Sequence, residues 1–523
     1  MISLATDVSS INRPASSRKW IWIRRGSQAF FLLLFLILIA FTVQGISGRL
    51  PYGLFFHLDP LNGIASMIAG RTFVIPMLLG LATIISAVLI GRVWCGWICP
   101  LGTIFDWVPS SRTSQGVPVS SRWGKVKYIL LLAILSGAIL GGLTLNILDP
   151  ITLLFRTVAG AIMPGLAWLI EGAESWLYGF ESLHPVLNWT DGLLRGWLLN
   201  SQPFYLPGLI LLGVLVLILG LNFVRPHFWC RYLCPLGGML GLISKASIFK
   251  HTVDNDKCVS CRKCALLCPT GAIDPDNEFA ADMQECTLCL NCRESCPTGA
   301  ISIKREKTPV RELDMTRRSL IYSLGAGLTL GTIARYLPVI GKNNQKKIRP
   351  PGSTEETLYE KCIRCGECVR ICPTGTIQPL SGPGGGLLWT PVLDTRLGYC
   401  DYGCNSCGVI CPTGAIERLT LEEKRSEIIG IAYIDRERCI PWAEKTECIV
   451  CEEMCPVPEK AIILKYGIEP DSLAVLQPHM IPELCIGCGI CEYQCPVEGE
   501  AAIKIYTKET VPEKIPDEIE EIV

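Results

Sequence analysis

The chain has 523 residues, 48 basic and 48 acidic side chains, and a mean hydropathy of +0.36. That length leaves room for several domains, and the charge balance excludes a strongly basic nucleic-acid binder. Five histidines and the lack of any C-x-x-C-H exclude covalent c-type haem attachment. The two histidines near apolar spans, His57 and His227, fall at opposite expected membrane faces, so a bis-histidine haem inside a bundle is not expected. The hydropathy instead points to a membrane-embedded part, and the 28 cysteines to metal.

The N-terminus is polar, then basic at Arg18, Lys19, Arg24 and Arg25. Apolar runs follow near 30–43, 73–93, 128–148 and 205–224. With their flanks, each approaches the roughly 20 residues that cross a bilayer. The first run starts late and lacks a small-residue cleavage site, so it is read as a span rather than a cleaved signal. Basic residues cluster before the first run, between the second and third (Arg112, Arg122, Lys125, Lys127), and after the fourth (Arg225, Arg231, Lys245, Lys250). The positive-inside rule then places the N-terminus and the region after the fourth span in the cytoplasm. Residues 149–203 face outward, with their apolar parts lying along the surface as amphipathic helices.

This half contains an internal repeat. The second span ends in VWCGWICPLG and the fourth in FWCRYLCPLG; the first and third are each followed by LDP, at Leu58-Asp59-Pro60 and Leu148-Asp149-Pro150. Thiols four apart on a helix share a face, and proline disfavours helix at the cysteine before it. Each span should therefore break at Cys99 or Cys234. Cys95, Cys99, Cys230 and Cys234 are expected to converge on an additional redox metal centre, most simply an Fe–S cluster; the alternative is four reduced thiols with a packing role. Asp before Pro is a common helix start, with Asp as N-cap. The second reading is that Asp59 or Asp149, with His57, accepts protons from quinol at the outer face.

Next comes CVSCRKCALLCPTGAI, then CTLCLNCRESCPTGAI: C-x2-C-x2-C-x3-C-P written twice. Three close thiolates bind one corner of a cubane, and the fourth, before proline, serves the neighbouring cluster. Cys258, Cys261, Cys264 and Cys296 form one expected [4Fe–4S] site; Cys286, Cys289, Cys292 and Cys268 form the other. Zinc sites more often pair thiolates across a longer gap.

A charged stretch, 304–314, leads to Arg317-Arg318 and a short Gly-rich apolar run, read as a fifth span resembling a twin-arginine export signal. Both features place the C-terminal domain outside the cytoplasm. That domain carries four more quartets. Cys362, Cys365, Cys368, Cys372 and Cys485, Cys488, Cys491, Cys495 keep the regular spacing. Cys400, Cys404, Cys407, Cys411 open with x3, and Cys439, Cys448, Cys451, Cys455 with x8. These are four more [4Fe–4S] sites in two ferredoxin-like units. Either the regular outer quartets pair around the irregular two, or neighbours pair in sequence order; the nested arrangement is preferred. Six quartets and the two C-x3-C pairs use every cysteine, which core filling or disulfides would not be expected to do.

The fold class is thus an α-helical membrane bundle of four spans plus a fifth, joined to α+β ferredoxin-like domains. The expected domains are 1–249 membrane, 250–305 cytoplasmic two-cluster ferredoxin, 306–341 junction and fifth span, 342–356 linker, 357–506 extracytoplasmic four-cluster domain, and 507–523 acidic tail.

Residues 18–305 resemble the NapH family, the membrane component of a quinol dehydrogenase. Residues 312–506, with a twin-arginine-like start and four quartets, resemble the MauM/NapG ferredoxins. The membrane half is also similar to NosR-type and CcoG-type proteins. The resemblance implies a protein of a bacterial inner membrane that oxidises quinol and passes electrons through clusters to a periplasmic reductase or cytochrome, within a multi-subunit complex. The alternatives are a CcoG-like metal-centre maturation factor and a wiring subunit of a larger respiratory complex. No Rossmann glycine motif, P-loop or H-E-x-x-H is present.

Overall fold

The computed structural model describes residues 18–42, 52–109, 123–194, 206–305, 348–380, 388–466 and 475–507, with scattered positions between 318 and 329. Most of the expected fifth span, residues 342–347 of the expected linker and the acidic tail after 507 lie outside the described residues. The chain divides into two compact units, one of residues 1–39, 53–158 and 206–332, the other of residues 40–52, 159–205 and 333–523.

In the first unit, helix Arg18–Ala40 buries Phe35, Leu38 and Ile39 and leaves Phe30, Leu33 and Ile37 exposed. Phe35 meets Phe55 and Phe155 edge-on, at 5.1 and 6.3 Å. Helices Gly80–Ile90 and Leu206–Val224 likewise expose Leu81, Ile85 and Leu89, and Ile210, Val216 and Leu217. An apolar exterior of this extent fits a lipid solvent and is unfavourable in water.

Two helices are long and apolar enough to cross a membrane by length and composition, Lys19–Ala40 and Pro150–Leu177; Ile75–Ile90 and Gly208–Val224 are apolar but shorter. A membrane protein is supported, and the full count of four spans is not established by length. Within the segment expected to face outward, residues 150–177 form one continuous apolar helix. Pro164 sits in the first turn of Met163–Leu177, where no N–H is needed, and the wide turn Val158–Ile162 carries the helix past it.

Both spans of the repeat end alike. A π turn, Trp94–Ile98 or Trp229–Leu233, closes with the N–H of Cys99 or Cys234 donating to the tryptophan carbonyl at 2.8 Å. Each cysteine is then extended, and Pro100 or Pro235 starts a new helix. The break falls where proline dictates, but the turn before it is wider than the α-helix that sequence spacing suggested.

Near this end Asp106 is a polar hub. Arg24 Nη1 lies 2.9 Å and Gln28 Nε2 2.5 Å from its Oδ2, and His227 Nε2 lies 3.1 Å from its Oδ1. Burial pushes the Asp106 carboxyl up, but His227, Arg24 and Gln28 outweigh it and hold it at about 2, below the usual 3.8.

The unit's ferredoxin module pairs β1 (Phe249–Val253) antiparallel with β2 (Ile301–Arg305), with a short bridge between Ile273 and Ala281 inside. Ala265, Ala272, Ile273 and Phe279 form its small core against the cysteines.

The second unit holds the helices Met163–Leu177 and His184–Leu194 and two more modules. Between its first and second quartets lies a hairpin, β3 (Ile377–Pro379) with β4 (Pro391–Leu393). Around the third and fourth, β5 (Ile431–Ile434) pairs with β8 (Ile503–Tyr506), enclosing the hairpin of β6 (Ile462–Tyr466) and β7 (Leu476–Met480).

Because its native pKa is depressed, Asp106 contributes stability above about pH 4 that is lost as pH falls toward 2. Asp106→Asn should cost on the order of 2 kcal/mol at neutral pH and flatten that acid dependence. Thermal unfolding in detergent from pH 7 to 3 checks both.

Candidate metal centres

A C-x2-C-x2-C-x3-C-P motif folds as a loop, a one-turn helix and an extended cysteine held by the next proline. Cys99, Cys234, Cys296, Cys372, Cys411 and Cys495 all have ψ between 111° and 123°. In the four CPTG copies the threonine hydroxyl lies 3.5–3.9 Å from the cysteine sulfur, at Cys268–Thr270, Cys296–Thr298, Cys372–Thr374 and Cys411–Thr413. The glycine after it takes a positive φ, 63–67°. Backbone N–H groups of Ala272 and Ala300 donate to the sulfurs of Cys268 and Cys296 at 3.2 and 3.3 Å. Hydrogen bonds to sulfur of this kind set the potential of a bound cluster.

Three cavities are each lined by one complete set of four cysteines. Cys258, Cys261, Cys264 and Cys296 line the first, and Cys268, Cys286, Cys289 and Cys292 the second. These are the two sets expected for the first module. Cys439, Cys448, Cys451 and Cys495 line the third.

That third cavity corrects the preferred nested pairing. Cys495 belongs to the fourth quartet and completes the third, while Cys485 and Cys488 neighbour Cys455 of the third. Cys365 and Cys368 neighbour Cys411, and Cys400 and Cys407 neighbour Cys372. Quartets therefore exchange their last cysteine with the adjacent quartet in sequence. The strands fit this: β5 and β8 close around the third and fourth motifs together, and the hairpins β3–β4 and β6–β7 each join two consecutive motifs.

Crowded thiols resist ionisation. Burial, with repulsion from neighbouring thiols, pushes Cys286 and Cys488 up to about 12 and Cys400 to about 11. A positive metal centre would relieve that repulsion. Among the described residues, no group of three or more His, Cys, Asp or Glu side chains closes tightly enough for a single ion. Mononuclear zinc needs four sulfurs about 2.3 Å from one point. A cubane binds each thiolate to a different iron and spaces them wider, which fits these cavities.

The four thiols of the repeat also converge. Cys99 and Cys234 each neighbour Cys95 and Cys230. Glycine makes this possible: a Cβ on Gly102 would lie 2.4 Å from the Cys95 carbonyl, and one on Gly237 would lie 2.8 Å from Arg92 Nη2. The site abuts the first module. Trp97 Nε1 donates to the Leu288 carbonyl at 3.1 Å, and a Cβ on Gly96 would lie 2.4 Å from the Thr287 carbonyl. Thr287 and Leu288 separate Cys286 from Cys289.

Sequence reasoning missed the charges that clamp this junction. Arg92 Nη1 donates to the Gln284 carbonyl at 2.7 Å and pairs with Glu285 at 3.4 Å. Lys127 Nζ pairs with the other Glu285 oxygen, and Tyr128 donates to Gln284 Oε1 at 3.0 Å. Arg92 and Lys127 are almost wholly buried, at 1% and 0% exposure. In the sequence Lys127 reads only as a flanking charge of a span, and Arg92 was not singled out; charge so close to an apolar run was the available signal.

At the LDP repeats the capping reading holds. Asp59 Oδ1 accepts from Leu61 N at 2.8 Å and Asn62 N at 3.3 Å, and Asp149 Oδ2 accepts from Ile151 N at 3.0 Å and Thr152 N at 2.9 Å. The two caps also meet: Asn146 Nδ2 donates to Asn62 Oδ1 at 2.8 Å, and the buried carboxyls of Asp59 and Asp149 are neighbours. His57 is half-buried on the preceding turn, its ring over Gly53.

The comparisons with known proteins agree with this geometry. Residues 278–373 match the model of a 4Fe-4S dicluster domain. One 4Fe-4S binding domain model matches both 72–118 and 206–253, so it covers both copies of the C-x3-C-P repeat. Another matches 251–274 and 478–499. The chain is 32% identical to the methylamine utilization ferredoxin-type protein MauM of Methylorubrum extorquens, over 35% of this chain and 82% of that protein. It is 26% identical to the ferredoxin-type protein NapH of Haemophilus influenzae, over 49% of this chain and 80% of that one. Against the ferredoxin-type protein NapG of Escherichia coli the figures are 29%, 36% and 82%. No solved structure matches the chain.

Ferredoxin modules with these thiol sets, beside apolar helices, define a membrane iron–sulfur protein that carries electrons. The chain belongs to the family of ferredoxin-type proteins that includes MauM, NapG and NapH.

Glu285→Ala leaves two buried cations without their anion and should cost about 3–5 kcal/mol. Lys127→Ala combined with it should cost less than the sum of the two single changes. A double-mutant cycle of thermal unfolding, with hydrogen exchange at residues 284–288, measures this.

Proposed function

We propose that the chain fuses a NapH-type membrane component to a MauM/NapG-type four-cluster ferredoxin, and that it oxidises quinol and delivers the electrons to a redox partner outside the cytoplasm. The observation that carries this reading is the contact of Gly96 and Trp97, which lie between two thiols of the repeat, with the Thr287–Leu288 segment of the first module, which brings a membrane thiol site close to a ferredoxin site.

Each set of four thiols holds one [4Fe–4S] cluster, six in the ferredoxin modules. Cys95, Cys99, Cys230 and Cys234 hold one more, with Arg92 buried beside them to offset its negative charge. The clusters supply one-electron carriers. Quinol becomes quinone by giving up two electrons and two protons, so proton acceptors must accompany them. The Asp59–Asp149 pair, with His57 one turn away, takes that role at the outer side.

The N-terminus and residues 250–305 lie in the cytoplasm, and residues 357–506 on the far side of the bacterial inner membrane. The partner is a periplasmic reductase or cytochrome in a multi-subunit complex. The hydrocarbon core is about 30 Å thick, too wide for one electron hop, so the quinone or a partner subunit bridges it.

The test is reduction of the anaerobically purified full chain in lipid vesicles by menaquinol or ubiquinol, followed by EPR. Reduced iron–sulfur signals should appear with one of them and be lost in Cys95→Ala/Cys230→Ala. Asp59→Asn should slow quinol-driven reduction roughly 10²-fold and leave dithionite reduction unchanged. Signals with dithionite but with neither quinol would overturn the proposal.

A further inference from the structure

The quartets of the second unit are numbered by sequence, but their neighbours in space take another order. Cys400 N, in the second quartet, donates to the Cys488 carbonyl of the fourth at 2.8 Å. The thiols of these two residues are also neighbours. The contact around them is close. Arg396 donates to the carbonyls of Glu492 and Val497, each at 3.0 Å, and of Cys495 at 3.3 Å. Thr395 Oγ1 donates to Glu492 Oε2 at 2.7 Å, and the rings of Tyr399 and Tyr493 are 5.6 Å apart. The segment between the second and first quartets thus lies on the helix of the fourth.

Within each module the links are those of the exchanged cysteine. Cys368 of the first quartet neighbours Cys407 of the second, and Cys491 of the fourth neighbours Cys451 of the third. Burial gives an independent sign. Cys455, Cys485, Cys488 and Cys491 are all buried, at 6–9% exposure. In each of the other three sets of this unit, three of the four cysteines are only partly buried.

We infer that the four sites stand in the order first, second, fourth, third, so that the fourth quartet is an enclosed internal relay and the irregular third quartet is an end of the path. This rests on the reading that each set holds a cluster. An electron that enters at the first quartet would reach a partner at the third, and no proton needs to accompany it between sites. The x8 spacing then has a use. It widens the loop at the terminal site, where residues 443–447 are exposed, and no internal site carries such an insertion.

The test is EPR line shape and power saturation of the dithionite-reduced full chain, with iron and acid-labile sulfide measured on the same samples. Cys488→Ser should isolate the third site and produce one narrow, slowly relaxing signal. Cys448→Ser should isolate none. The reverse pattern, a narrow signal in Cys448→Ser and none in Cys488→Ser, is the signature of sequence order and would overturn the inference. Should either variant lose more iron than one site holds, Arg396→Ala/Tyr399→Ala decides with every cysteine in place. Weakened magnetic interaction at full iron content supports the order, and unchanged interaction contradicts it. Wild-type protein without sulfide would defeat the cluster reading itself, and the order with it.

Discussion

The structure depends on what proline does to the cysteine before it. A residue preceding proline is driven out of the helical region. Each C-x3-C-P therefore ends its helical turn at the last thiol and carries that thiol away in an extended strand segment. In the ferredoxin modules the extended cysteine crosses to the neighbouring site, so two motifs complete each other and neither closes alone. In the membrane half the same constraint acts at the end of a span. The chain leaves a π turn, turns at Cys99 or Cys234, and starts a new helix at proline. One local rule thus builds both kinds of site.

A second constraint joins them. Thr287 and Leu288 lie between two thiols of the first module, and their carbonyls are pressed against Gly96 and Trp97, which lie between two thiols of the repeat. Small residues at Gly96 and Gly102 let backbone approach backbone there, and Gly237 leaves room for the Arg92 guanidinium. The buried cations Arg92 and Lys127 meet at Glu285, and the acid fixes the module's loop to the ends of the helices. Buried charge arranged this way favours one docking geometry, because any slip leaves a cation unpaired.

The cysteine sets were legible because ligand spacing is a local property, and so was the break at Cys99 and Cys234. The capping role of Asp59 and Asp149 was legible for the same reason. What the sequence hid were pairings across distance. Cys495 completes the third set because β5 pairs with β8 around it, and strand partners are not written in motif spacing. The clamp at Glu285 was hidden because a glutamate before Cys286 has no local signature. The length of the apolar helix at 150–177 was also hidden, since the wide turn at Val158–Ile162 carries it past Pro164.

The function of this chain depends on what its thiols bind. A [4Fe–4S] cluster contributes one iron and one sulfide for each cysteine that holds it, and all 28 cysteines of this chain are assigned to such sets. Metal and acid-labile sulfide analysis of the anaerobically purified full chain is the most direct measurement. The expected result is close to one iron and one sulfide per cysteine. A content near one metal ion for every four cysteines, with no sulfide, would mean mononuclear sites and would contradict it.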